Sequence, residues 1–288
     1  MNLDKNIKIF IQTNPQQELA AKVSKYSFNK FGFNNIELLK LNNVELLKKN
    51  FGKRYYRNGK LVQFDPYDLQ SFTLLRFLPP KLIDDDYCLV VDPDVFAISD
   101  LSSINNYMTD NDFKIFCTKK KSLNRSEVML INCKKNFKLW DFDQLINDIF
   151  SKKIDYSELI NLEFVEKKLI GKLDPSFNSL DEINTDTILL HTSNRITQPW
   201  KQGLDIDFNI YSSKYNYLKT IIRRILGLKF NNTILQQKYQ PHPDHKVNNF
   251  MLNIFREAYL NNYINDNDIE FSLTNKYLSS IFWKKFHG

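Results

Sequence analysis

Ile7-Lys8-Ile9-Phe10-Ile11 alternates with a period of two and gives way to Gln12-Thr13-Asn14-Pro15, which predicts a first strand ending in a polar loop. Leu19, Val23 and Tyr26 then fall near a 3.6-residue repeat and predict a helix over residues 16–31. A strand followed at once by a helix is how α/β chains begin. Leu69, Phe72, Leu75 and Leu78 recur every three residues, predicting a helix across 68–78 that stops before Pro79-Pro80.

Three later runs are apolar without alternation, the pattern of strands buried on both faces. Tyr87-Cys88-Leu89-Val90-Val91 lies between Asp84-Asp85-Asp86 and Asp92-Pro93-Asp94. Val128-Met129-Leu130-Ile131 ends at Asn132, and Thr187-Ile188-Leu189-Leu190 ends at His191. Together these predict an α/β fold with several central strands. No internal repeat or glycine-rich linker interrupts it. After Trp200 the pattern turns to helical segments, tyrosine-rich turns and basic residues, which places a boundary near 205: a sheet domain over 1–205 and a helical region over 206–288.

Composition narrows the class. With 42% hydrophobic residues in 288, the chain can bury a large core, and it has no apolar run long enough to span a bilayer. The N-terminus carries no secretory signal pattern, so a cytoplasmic location is expected. Cys88, Cys117 and Cys133 each sit in or beside an apolar run, as small buried hydrophobes do, and their odd number and wide spacing argue against a disulfide framework or a zinc site. The net charge is +7, and residues 200–288 hold 12 Lys/Arg against 7 Asp/Glu. Such an excess suits nucleic acid, an anionic membrane or an anionic small ligand, and charge alone does not choose. The basic residues do not interleave with aromatics on any strand that reads as a binding platform, so nucleic acid is not the expected partner.

In open α/β sheets, ligands bind beyond the carboxyl ends of the strands, where Asp92-Pro93-Asp94 and His191 both fall. Two carboxylates across a stiff proline can reach one hard cation, and an added neutral imidazole suits Mn²⁺, with Mg²⁺ the other oxygen-preferring choice. Arg195 and Lys201, close behind His191, could hold phosphate oxygens of a diphosphate on that ion. An acidic turn that merely ends a strand, and a structural histidine, are the plain readings of the same residues.

The strand ending in Asp92-Pro93-Asp94, the Val128-Met129-Leu130-Ile131-Asn132 strand, and His191 followed by Pro199-Trp200 resemble, over roughly 6–202, the GT-A fold glycosyltransferases that use nucleotide sugars, retaining family 8 above all. The resemblance implies a Rossmann-like GT-A fold, a mixed, mainly parallel sheet flanked by helices, with a nucleotide-diphosphate-sugar donor, most readily a UDP-sugar, and a saccharide or lipid-linked acceptor. It implies metal ligation by Asp92, Asp94 and His191 and a retaining outcome. Thr13 and Asn14 match its nucleoside-contacting loop. Arg76 falls near its diphosphate-facing basic residue and reads equally as a solvated helix arginine. Asp155, with Asp181 behind it, is the candidate carboxylate facing the sugar, and either reads also as a loop carboxylate. Departures are visible: Asn194 replaces a glycine, one extra residue precedes Pro199-Trp200, Gln198 replaces a lysine, and Glu127 replaces a glycine, so a divergent member is expected.

Leu218, Ile221, Ile222, Ile225 and Leu226 share a helical face with Lys219, Arg223, Arg224 and Lys229 among them. With Ile281-Phe282-Trp283-Lys284-Lys285-Phe286, this stretch fits peripheral contact with an anionic membrane, or a helix packed on the domain with its cations solvated. His242-Pro243-Asp244-His245 reads as a polar loop. The competing functions are a catalytically silent nucleotide-sugar-binding protein and a nucleotidyltransferase, the latter disfavoured by the lack of glycine after the first strand.

Overall fold

A computed structural model describes residues 7–83, 87–109, 113–133, 139–207 and 238–287. The 218–229 stretch lies outside the described residues, as does Asp84-Asp85-Asp86. Strands β1 (Lys8–Thr13), β2 (Ile36–Lys40), β5 (Tyr87–Val91), β7 (Ile115–Lys120), β8 (Leu123–Asn132) and β9 (Ile170–Lys172) form a six-stranded sheet in the order β2-β1-β5-β8-β7-β9. The pairings β1–β2, β1–β5 and β7–β9 are parallel, while β8 is antiparallel to both its neighbours. One strand therefore runs against the rest, and the mixed, mainly parallel α/β sheet is present as expected.

β5 is buried along its whole length because its side chains alternate between two cores. Cys88 and Val90 pack with Leu75 and with Ile146 of the helix Phe142–Phe150. Leu89 and Val91 pack on the other face with Ala21 and Phe28 of helix α1 (Glu18–Lys30). All three cysteines are buried. Beside the main sheet, β10 (Ser179–Leu180), β11 (Leu189–His191) and β6 (Val95–Ala97) form a smaller one, and β3 (Arg54–Arg57) and β4 (Lys60–Gln63) form a hairpin.

The segment expected as a helix over 68–78 is instead a 3₁₀ run, Ser71–Phe77, and Pro79 opens a further short helix, Pro79–Leu82, rather than ending one. Proline at a first helical turn loses no hydrogen bond, since that N–H has no partner in any case.

The helices His245–Leu260 and Ser280–His287 share one core with the sheet unit across the expected boundary at 205. Phe255 stacks on Trp200 at 5.9 Å, and Met251, Ile254 and Ala258 pack with Leu19 and Val23 of α1. Phe282 and Phe286 belong to this core, so the aromatic pair proposed for membrane contact is covered by protein, leaving Ile281, Lys284 and Lys285 exposed. Among the described residues no helix is long and apolar enough to cross a membrane.

Candidate active site

The register of the strands brings the acidic turn and the histidine together. β5 delivers Asp92 to its carboxyl end, and the turn through Pro93 is closed by Val95 N–H donating to the Asp92 carbonyl at 3.2 Å. β6 then pairs antiparallel with β11, setting His191 opposite Val95, the residue after Asp94. Thr192 N–H donates to the Asp94 carbonyl at 3.0 Å and locks this approach. One ligand atom from each of Asp92, Asp94 and His191 lies within 4.8 Å of the others. All three line a cleft of about 240 Å³.

The three side chains are prepared as ligands to different degrees. His191 Nδ1 is 2.9 Å from Asn178 Oδ1, an acceptor only, so Nδ1 carries the proton and Nε2 faces Asp94 Oδ1 at 3.5 Å. Holding the second imidazole nitrogen in this way is the usual support of a metal-bound histidine. Asp94 Oδ1 is buried without a hydrogen-bond partner, while Oδ2 accepts from Gln198 Nε2 at 3.1 Å. A buried carboxylate oxygen without a hydrogen-bond partner is costly by itself, and a cation held between it and the imidazole relieves that cost. The donor set of two carboxylates and one imidazole fits a divalent ion such as Mn²⁺. Burial pulls the His191 pKa down, and the carboxylates of Asp94, Glu127 and Asp92 outweigh it, leaving it raised.

Asp92 is tied more firmly. Arg76 Nε is 2.8 Å from Oδ1, its Nη2 meets Oδ2, and Gln12 Nε2 donates to Oδ1 at 2.7 Å. Burial raises the Asp92 pKa, opposed by the guanidinium. Arg76 is thus neither a solvated helix arginine nor an unpaired cation awaiting phosphate: it is buried, lines the cleft, and is matched to the first aspartate.

The other expected residues divide. Arg195 lines the cleft. Lys201 does not: it is fully buried, 3.0 Å from Asp207, and burial lowers its pKa against that partner. Thr13 and Asn14 are buried in internal hydrogen bonds, Asn14 donating to the Asp68 carbonyl at 2.8 Å and to Ser71 Oγ at 3.0 Å, so neither side chain lines the cleft. Asp155 is a helix cap: its carboxylate accepts from the backbone N–H groups of Ser157, Asn58 and Gly59, which places it on the β3–β4 hairpin rather than in the cleft. Burial would raise its pKa, and those hydrogen bonds hold it lowered. Asp181, at φ 57°, accepts from Ser193 Oγ and from Asn194 N–H and so supports the loop behind His191 from outside the cleft. Buried His242 stands behind it, Nε2 3.7 Å from Asp181 Oδ1.

Sequence reasoning assigned no site role to four contributors, Gln12, Asn178, Glu127 and Arg125. Gln12 is the last residue but one of β1 and Asp92 directly follows β5, and the adjacent parallel register Ile11↔Val91 makes the pair neighbours, a signal available from two strand ends. Asn178 has no such signal. Glu127 and Arg125 line the cleft, paired to each other at 2.7 Å. Burial pushes the Glu127 pKa up, and Arg76, His191 and Arg125 together bring it below its usual range.

No family model matches the chain, and no curated protein matches it. Solved structures with a similar chain path include glycosyltransferases. The galactosyltransferase LgtC, in complex with donor and acceptor sugar analogues, is 16% identical with a TM-score of 0.45 over 67% of this chain and 89% of that one. GlyE of Streptococcus pneumoniae TIGR4 is 14% identical, TM-score 0.47, over 81% and 66%. Mouse xyloside xylosyltransferase 1 is 9% identical, TM-score 0.43, over 66% and 98%. These are the class of enzyme that the sequence resemblance leads one to expect; at such TM-scores the likeness assigns no function.

Proposed function

We propose that the chain is a metal-dependent glycosyltransferase that moves a sugar from a nucleotide-diphosphate sugar, most readily a UDP-sugar, to a saccharide or lipid-linked acceptor with retention. The observation that carries this reading is the convergence of Asp92, Asp94 and His191 with Asp94 Oδ1 left without a hydrogen-bond partner. A divalent ion held there supplies positive charge to a departing diphosphate. The chain's own part is positional. Arg76 and Gln12 fix the Asp92 carboxylate, Gln198 fixes Asp94, and Asn178 fixes the imidazole, so the ligands need little rearrangement. Arg195, on the cleft wall, offers a cation toward the same anionic group.

A thermal-shift screen of UDP- and GDP-sugars, each with and without Mn²⁺, tests the proposal, because a ligand of the folded state must stabilise it. The reading requires at least one donor to raise the melting temperature only with the metal and to be consumed when acceptors are supplied. A donor that binds and is never consumed marks a silent binding protein, and no shift with any donor overturns the reading.

A further inference from the structure

We propose that Glu127 is the nucleophile of a double displacement on the donor sugar, an inference that rests on the donor-site reading above. Three carboxylates line the cleft among the described residues, and two of them, Asp92 and Asp94, belong to the converging metal-ligand group. Glu127 is the one left over. Asp92 N–H donates to the Glu127 carbonyl at 3.0 Å, which fixes the residue directly beside the acidic turn at the end of β8's pairing with β5.

Arg125, two residues earlier on the same strand, grips the side chain. Its Nε is 2.8 Å from Oε1 and 3.0 Å from Oε2, and its Nη2 is 2.7 Å from Oε1. The ion pair keeps Glu127 a carboxylate, and the guanidinium fork fixes its direction. Oε1 takes two of the three contacts, leaving Oε2 the less engaged and more nucleophilic oxygen. A fixed carboxylate on the wall of the same cleft, outside the converging ligand group and capping no helix, has the placement a glycosyl-enzyme intermediate requires.

The step balances without a further reactant. An Oε2 lone pair forms a bond to the anomeric carbon as the bond from that carbon to the diphosphate oxygen breaks, its electron pair leaving with the nucleoside diphosphate. An acceptor hydroxyl then attacks the same carbon, the ester bond breaks with its pair returning to the carboxylate, and the hydroxyl proton passes to water. Two inversions give net retention.

The test uses the full chain with UDP-glucose, UDP-galactose and UDP-N-acetylglucosamine in Mn²⁺, following UDP release, and compares Glu127→Gln and Glu127→Ala with the unaltered protein. Both variants should keep the Mn²⁺-dependent thermal shift with UDP and lose donor turnover by about a thousandfold. Added azide should restore turnover to Glu127→Ala alone, yielding a glycosyl azide of inverted configuration, a gain that a misfolded chain cannot give. Retention of more than a tenth of turnover by either variant, or no azide product from the alanine variant, overturns the proposal while the donor-site reading stands. UDP binding with no donor consumed by the unaltered chain also overturns it. Absence of UDP binding by the unaltered chain defeats the donor-site reading first.

Discussion

Arg76 and Asp92, 16 residues apart, form a two-point ion pair at the base of the cleft, both side chains about 6% exposed. The chain thus places its own cation on one of the carboxylates that would ligate the metal. Removing one partner of a buried pair leaves an uncompensated charge, so Arg76→Ala should cost about 3–5 kcal/mol in metal-free urea unfolding. Because a divalent ion would neutralise the same carboxylate, Mn²⁺ should stabilise the variant more than the parent. A loss below about 1 kcal/mol, or an equal gain from Mn²⁺ in both, would contradict this.

Asn178 lies outside the ligand set and bears on it through His191, its amide nitrogen being anchored on Thr118 Oγ1. Asn178→Ala should weaken Mn²⁺ binding by about 10- to 100-fold, measured by titration of the free ion's paramagnetic resonance signal. An unchanged dissociation constant would mean that the imidazole is held by other means.

For Asp155 the sequence suggested chemistry and the structure gives stability. Its carboxylate closes a capping box with Glu158 and ties that helix to the hairpin at Asn58 and Gly59. Asp155→Ala should cost about 1 kcal/mol at neutral pH. Its folded pKa lies below the ordinary 3.8, so the contribution is full above 3.8 and fades as the pH falls through the folded value. The melting-temperature gap between parent and variant should therefore be constant from pH 7 to 5 and narrow below pH 4. A gap that widens on acidification reverses the sign and rules out this role.

Gly171 faces the rings of Phe116 and Phe113, where an added Cβ would stand 2.6 and 2.9 Å from ring carbons. Gly171→Ala should destabilise by about 1–3 kcal/mol, seen as a lower urea midpoint at unchanged slope. A neutral substitution would show that β9 can move off β7.

The residues legible in the sequence are those whose position alone assigns their place. Asp92 and Asp94 follow an apolar run that is a central strand and points its carboxyl end at the ligand side, while the run before His191 belongs to the smaller sheet and reaches the same place by pairing with β6. Hidden from the sequence is what a polar side chain does with its neighbours. Lys201 and Arg195 look alike beside His191, yet one is buried against Asp207 and the other lines the cleft. Asn14 looks like a loop contact and is consumed in holding the 66–71 turn. The misread helix at 68–78 has a physical cause as well: spacing of three is the 3₁₀ period, and reading it as a loose α-helical repeat overlooks that.

The most direct test of the account is UDP binding measured by calorimetry in Mn²⁺ and again in EDTA, for the parent, Asp94→Asn and His191→Ala. The account predicts that the parent binds UDP at least about tenfold more tightly with Mn²⁺. It also predicts that both variants stay folded and lose that dependence. Equal affinity in EDTA for the parent, or an undiminished Mn²⁺ effect in either variant, would contradict it.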